Sequence, residues 1–258
     1  MSIRNYLTLI VLVCGVFYSN TGAKEYQTVD IGIDENRGGY LPLDATVVTS
    51  TGDTVALRDI IKKPVLLDLV YYECAGICHP LLQELTWAVD RLNMVPGKDF
   101  EVITLSFNPG EDYRTARKWK KSYLQSMKRE FPENAWYFLT TDSLNIAKVT
   151  NAVGFKYQPR EGMYVHAGCI VAISPEGKIS RYIYGDSFNP FDLQMALIDA
   201  QKEEVRPTSA KLLQFCFSYD PEGRKYTLNI TRIAGSLILL GILIFLVVLI
   251  FKRKTKET

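Results

Sequence analysis

From Ala45 onward the chain alternates between short apolar runs and longer stretches in which apolar residues recur every three or four positions. Pro64 to Val70 reads Pro-Val-Leu-Leu-Asp-Leu-Val, a nearly unbroken apolar run that predicts a central parallel strand buried on both faces. Leu81, Leu82, Leu85, Ala88, Val89 and Leu92 then follow at helical spacing until Val95-Pro96-Gly97 stops them. Phe100 to Phe107 predicts a second strand. Residues 111 to 130 are rich in Lys, Arg and Glu and carry Tyr113, Ala116, Trp119, Tyr123 and Met127 at steps of three and four, the pattern of a surface helix with one buried stripe. Trp136 to Leu139 predicts a short strand, and Asp142 or Ser143 caps a helix that ends at Gly154. Two hairpins flank this core. One joins Ala45–Thr49 to Thr54–Leu57 through Ser50-Thr51-Gly52-Asp53, and the other joins Cys169–Ser174 to Lys178–Tyr184 through Pro175-Glu176-Gly177. A last helix spans Pro190 to Glu204. This order predicts an α/β fold, a mixed sheet flanked by helices, over residues 45–205, preceded by an extended arm over 24–44.

The two ends follow different patterns. Met1 to Ala23 has one early basic residue, Arg4, an apolar run from Leu7 to Tyr18 and a small-residue exit at Thr21-Gly22-Ala23, which predicts a secretory signal peptide over 1–23. Val13 is larger than the small residue that lipoprotein processing usually needs before Cys14, so lipidation there is the lesser alternative. Ile233 to Phe251 contains no charged residue and as a helix is about 28 Å long, enough to cross a bilayer. An exported N-terminus and one later span predict a single-pass protein of the cytoplasmic (inner) membrane. Its globular domain then lies on the periplasmic or extracytoplasmic side and its basic tail, 252–258, inside. The juxtamembrane segment 206–232 includes Phe215-Cys216-Phe217-Ser218-Tyr219-Asp220-Pro221, too aromatic for a plain tether, and is expected to pack on the domain.

Charge narrows the function. Between the signal peptide and the span there are 25 basic and 27 acidic residues, a balance that argues against nucleic-acid binding. Four cysteines remain there, Cys74, Cys78, Cys169 and Cys216, in a compartment where disulfides persist and a reduced pair needs a reason. Copper delivery or redox exchange supplies one.

The chemistry concentrates in Tyr71-Tyr72-Glu73-Cys74-Ala75-Gly76-Ile77-Cys78-His79-Pro80, which leaves the first central strand and opens a helix. With the helix beginning near Gly76 or Ile77, Cys78 falls in its first turn, where unpaired N–H groups favour a thiolate. Positions i and i+4 share a face, so the two sulfurs can converge on one metal ion or close as a disulfide. A strand ending in a thiol pair at the mouth of a helix is the active-site layout of the thioredoxin fold. The three-residue gap departs from the Cys-x-x-Cys of redox enzymes and better suits a soft metal completed by a histidine. Of the two histidines, His166 lies in a loop just before the strand Cys169–Ser174, within reach of both thiols in that fold. Two thiolates and one imidazole suit copper in either oxidation state; a hydrogen-bonded loop histidine beside a structural disulfide is the plainer reading. His79 follows Cys78 directly and points about 100° away on a helix, so exposure is expected. Cys169 is expected to be a small core residue and Cys216 a structural one. Tyr71, Tyr72 and Glu73 are expected to shape and shield the site.

Cys74-Ala-Gly-Ile-Cys78 after the apolar strand, His166 ahead of a strand, and Ser174-Pro-Glu-Gly-Lys-Ile-Ser-Arg-Tyr-Ile-Tyr-Gly185 together resemble the Sco/SenC family over roughly residues 28–222. These are membrane-anchored copper proteins with a thioredoxin-like domain that help assemble the binuclear copper centre of cytochrome c oxidase. The resemblance implies Cys74, Cys78 and His166 as copper ligands. It also implies the copper-bearing oxidase subunit and a copper donor as partners, and anchoring from the C-terminal end. Two positions depart from the commoner pattern. His79 intervenes before Pro80, and the acidic stretch after the next strand reads Asn108-Pro109-Gly110-Glu111-Asp112, without its first carboxylate.

Two functions remain open from sequence. One is a copper carrier that passes its ion to the oxidase by ligand exchange. The other is an enzyme, a membrane-anchored thiol-disulfide reductase that uses Cys74 and Cys78 on the oxidase cysteines. A peroxidase is disfavoured because Tyr71, not threonine, stands three residues before Cys74.

Overall fold

The computed structural model describes residues 31–206 except Ala75, Glu161, Gly162 and Asp186, the backbone of 217–220 and 225–228, and residues 235, 238 and 241. The expected signal peptide, the basic tail, Cys216 and most of the expected span 233–251 lie outside these residues. Among the described residues no helix is long and apolar enough to cross a membrane.

In chain order the strands are β1 (Gly32–Ile33), β2 (Thr46–Thr49), β3 (Thr54–Ala56), β4 (Val65–Val70), β5 (Glu101–Ser106), β6 (Trp136–Thr140), β7 (Phe155–Arg160), β8 (Met163–His166), β9 (Cys169–Ile173), β10 (Ile179–Tyr184), β11 (Phe217–Asp220) and β12 (Lys225–Leu228). The helices are α1 (Leu57–Ile60), α2 (Cys78–Val89), α3 (Tyr113–Ser126), α4 (Ser143–Ala152) and α5 (Pro190–Gln201). Seven strands form the main sheet in the order β10-β9-β4-β5-β6-β2-β3. β4, β5 and β6 run parallel, while β9 on one side and β2 on the other run antiparallel to their neighbours. This mixed α/β sheet fits the thioredoxin-like fold expected from the sequence.

The parallel centre follows from the apolar runs. Every residue of β4 and β5 is buried, which only a strand covered on both faces requires. Two successive right-handed crossovers, β4–α2–β5 and β5–α3–β6, bring α2 and α3 to one face. There Tyr123 of α3 stacks on Phe138 of β6, and Trp119 of α3 tilts against Tyr72. Helix starts obey local chemistry. Asp112 accepts from the N–H groups of Arg114 and Thr115, and Asp142 accepts from that of Asn145. Asn189 accepts from that of Phe191, with Pro190 in the first turn. By contrast, α2 begins after Ile77 with no capping side chain.

A polar chain crosses the core. Trp136 Nε1 donates to Thr104 Oγ1, which donates to Asp68 Oδ1, each at 2.9 Å, linking β6, β5 and β4. Asp68 is fully buried, and its Oδ2 has no hydrogen-bond partner. Burial pushes its carboxyl up from 3.8 to about 8, against the opposing hydrogen bond from Thr104.

The structure adds a sheet that the sequence reading missed. β1, β7 and β8 form a three-stranded antiparallel sheet, so His166 is the last residue of a strand and not part of a loop. Pro159 and Arg160 inside β7 masked the pattern. β1 pairs only with Phe155 and Lys156, so at Pro159 the strand has a neighbour on one side alone, where proline is tolerated. The turn into β7 needs Gly154. Its φ is +65°, and a Cβ there would stand 1.8 Å from Asp34 O, next to the bond from Asp34 N–H to Gly154 O. In the expected juxtamembrane segment β11 and β12 pair with each other; its packing on the domain lies outside the described residues.

Because Asp68 holds its proton more tightly folded than unfolded, the folded state should lose stability as pH rises from about 4 to 8. The loss is at most about 1.4 kcal/mol per pH unit from this one group. Asp68→Asn is expected to flatten that slope, as read by urea unfolding across the same pH range.

Candidate metal centre

The end of β4 sets the site. Beyond Val70 the chain leaves the sheet, and the backbone N–H groups of Tyr72 and Glu73 have no strand to pair with. Glu111, buried beside them, accepts from both at 2.8 Å through its two carboxylate oxygens and from Ser106 Oγ at 2.5 Å. Tyr72 Oη lies 2.9 Å from Leu139 O and 3.1 Å from Thr104 O, fixing the same turn from the core side. The chain then delivers Cys74, half-buried, and four residues later Cys78, fully buried as the first residue of α2.

His166 arrives from β8. Its Nδ1 donates to Ala167 O at 3.0 Å, which leaves Nε2 facing the sulfurs, 3.1 Å from Cys78 Sγ. One donor atom from each of Cys74, Cys78 and His166 lies within 4.8 Å of the others, the metal-ligating group found among the described residues. The three side chains expected from sequence are therefore brought together. The imidazole is 7% exposed and walled by Phe107 at 5.0 Å, Phe155 at 5.7 Å and Tyr71 at 6.1 Å between ring centres.

The two thiols differ sharply. Hydrogen bonding with Cys78, and then with His166 and Tyr71, holds Cys74 far below the ordinary thiol range despite its partial burial. Burial, reinforced by the neighbouring Cys74, pushes Cys78 well above that range. This corrects the expectation that Cys78 would carry the thiolate. Its helix N-terminus is present, but complete burial outweighs what a helix end supplies. Neither cysteine is in a disulfide. Two sulfurs and one imidazole make a soft donor set that leaves further coordination positions open, which fits a thiophilic ion such as Cu(I).

The other sequence candidates lie elsewhere. His79 is exposed and turns to α3, its Nδ1 2.6 Å from Tyr123 Oη and its ring edge-on to Trp119. Glu73 is exposed. Cys169 is buried in β9 beside Ile170 and Val171, a core residue as expected. Sequence reasoning passed over Glu111. Its signal was a second carboxylate beside Asp112 after the strand: Asp112 caps α3, which left Glu111 free for another duty.

Residues 44–199 match the family model SCO1/SenC. Among curated proteins the chain has no match. Among solved structures it resembles a candidate electron transfer protein of Aquifex aeolicus VF5, with a TM-score of 0.59 and 29% identity, covering 64% of this chain and 95% of that one. It also resembles Arabidopsis thaliana ScoI with copper bound, at TM-score 0.51 and 19% identity over 64% and 98% of the two chains. A third is BsSco, a member of the Sco family of cytochrome c oxidase assembly proteins in which a disulfide switch was identified. It matches at TM-score 0.50 and 19% identity over 66% and 96%. These last two likenesses show the fold.

The asymmetry of the thiols is directly measurable. At pH 6, where an ordinary thiol is nearly silent, Cys74 is expected to alkylate with iodoacetamide while Cys78 stays unmodified until the protein unfolds, as read by peptide mass spectrometry. Equal rates would refute the assignment. Glu111→Ala strands two backbone donors and should cost roughly 2–3 kcal/mol, measured by urea unfolding.

Proposed function

The chain belongs to the SCO1/SenC family, and from that premise we propose that it is a membrane-anchored copper carrier that delivers copper to the binuclear centre of cytochrome c oxidase during assembly. The observation that carries the proposal is the convergence of Cys74, Cys78 and His166 within 4.8 Å. Copper held by Arabidopsis thaliana ScoI and the oxidase-assembly role of the Sco family to which BsSco belongs support the same reading.

The residues divide the work of holding a cargo ion. Cys74, half-buried and held far below the ordinary thiol range, is the ligand that an incoming ion or a partner's ligand meets first. Cys78 lies behind it and gives up its proton when it ligates, so uptake releases acid. His166, whose Nδ1 is held by Ala167 O, points Nε2 at the sulfurs. The aromatic wall keeps water off the imidazole side, where it would compete for the ion.

The expected signal peptide, 1–23, and span, 233–251, place the domain outside the cytoplasm and tether it to the membrane that holds its client. That confinement raises the effective concentration of carrier and recipient. The partners are then the copper-bearing oxidase subunit and a copper donor. A second reading, a thiol-disulfide reductase for the oxidase cysteines, draws on the free pair Cys74 and Cys78, one activated and one buried.

His166 separates the two. The full-length chain in detergent is titrated anaerobically with Cu(I) beside Cys74→Ala, Cys78→Ala and His166→Ala. Each variant is expected to lose affinity by at least the 10- to 100-fold that removal of even an outer-shell partner costs, whereas His166→Ala keeps disulfide-reducing activity. Equal copper uptake by all four proteins would remove the carrier reading.

A further inference from the structure

Helix α3 is unlike the rest of the domain in its charge. Its fourteen residues, YRTARKWKKSYLQS, include Arg114, Arg117, Lys118, Lys120 and Lys121 and no acid, on an exported segment whose acidic residues slightly outnumber its basic ones. Little of that charge is neutralised. Arg117 donates to the backbone carbonyls of Ser50 and Thr51, and Lys120 to that of Glu133, bonds that orient the cations without cancelling them. Arg114 pairs with the capping Asp112. Lys118 and Lys121 are exposed and have no ion pair among the described residues.

The cations border the metal centre. A surface hollow of about 420 Å³ is lined by Tyr72, Glu73, Arg114, Thr115, Lys118 and Trp119. Glu73 immediately precedes Cys74, the half-buried ligand. Trp119 joins this hollow to His79, whose ring it meets edge-on at 5.4 Å. The half-buried Trp119, flanked by Arg114 and Lys118 beside an exchange site, has the composition of an interface hot spot. Its charge specifies the complement.

We infer that the exposed face of α3, with the Tyr72–Trp119 hollow at its start, is the docking surface for an acidic segment of the protein that exchanges cargo at Cys74. This rests on the carrier reading and adds to it the side from which the partner approaches. Carboxylates of the partner meet Arg114, Lys118 and Lys121, and an apolar contact seats on Trp119. The charges at this rim set how fast partners meet and in which orientation, while the ligands set what is exchanged.

The test uses the full-length protein in detergent and, as probe, the purified soluble copper-bearing domain of the same organism's oxidase subunit. Association is followed by stopped flow at 20 and 200 mM KCl for the wild type, for Lys118→Glu/Lys121→Glu, and for Lys62→Glu, an exposed site before β4 at the opposite end of the strand from Cys74. Expected are a wild-type association rate that falls with salt, a further loss of about tenfold in the double variant, a Lys62→Glu rate close to wild type, and unaltered Cu(I) uptake in all three. A double variant that associates as fast as the wild type, or a wild type that does not associate, overturns the docking surface while leaving the carrier reading intact. Loss of copper uptake in the double variant also overturns it, since these lysines are assigned to docking alone. Binding that depends on the two lysines only with phosphatidylglycerol vesicles overturns it in favour of a membrane-facing helix. Failure of the wild type to take up copper instead strikes the carrier reading itself.

Discussion

Everything at the metal centre depends on one carboxylate. β4 ends at Val70, and the chain must then turn out of the buried centre of the sheet without a strand to satisfy its amides. Glu111 answers both orphan N–H groups from the loop that follows β5 and is itself steadied by Ser106. Buried backbone donors are costly to leave unpaired, so this bond sets where Tyr71 and Tyr72 lie and hence where Cys74 emerges. The same short stretch, Asn108 to Asp112, also closes a local turn through Asn108 and caps α3. A single loop thus positions the thiol and launches the basic helix beside it.

The arrangement of thiols follows from depth more than from sequence distance. Cys74 and Cys78 are chemically identical and four residues apart, yet hydrogen bonds hold the outer one below the ordinary thiol range while burial pushes the inner one above it. An outer anion attracts and captures. An inner thiol keeps the empty site from carrying two adjacent negative charges in a poorly solvated pocket, which would be expensive. His166 completes the set with a ring nitrogen aimed at the sulfurs.

Much of this was legible beforehand. The apolar run of β4, the helical spacing after it and the two turn-bearing hairpins fixed the main sheet, because strong periodicity and turn residues survive tertiary context. The pairing of Cys74 with Cys78 and the arrival of His166 were likewise readable, since only two histidines compete. What escaped was local or opposed. Pro159 hid β7, whose inward positions Phe155 and Tyr157 alternate as a strand should. Helix-end reasoning picked Cys78 as the anion because sequence shows a helix start but not how deeply its first residue is buried. Glu111 was invisible because an acid in a polar stretch looks solvated until its partners are known.

The three ligands do not belong to one sheet. Both sulfurs ride on the segment that leaves the seven-stranded sheet, while the imidazole ends the small sheet β1–β7–β8. An ion gripped by all three would therefore be a rivet between two leaves that already touch through Phe107, Phe155 and Tyr164. The site thus sits on a seam of the fold, where one bound ion would crosslink chain segments 88 residues apart in sequence.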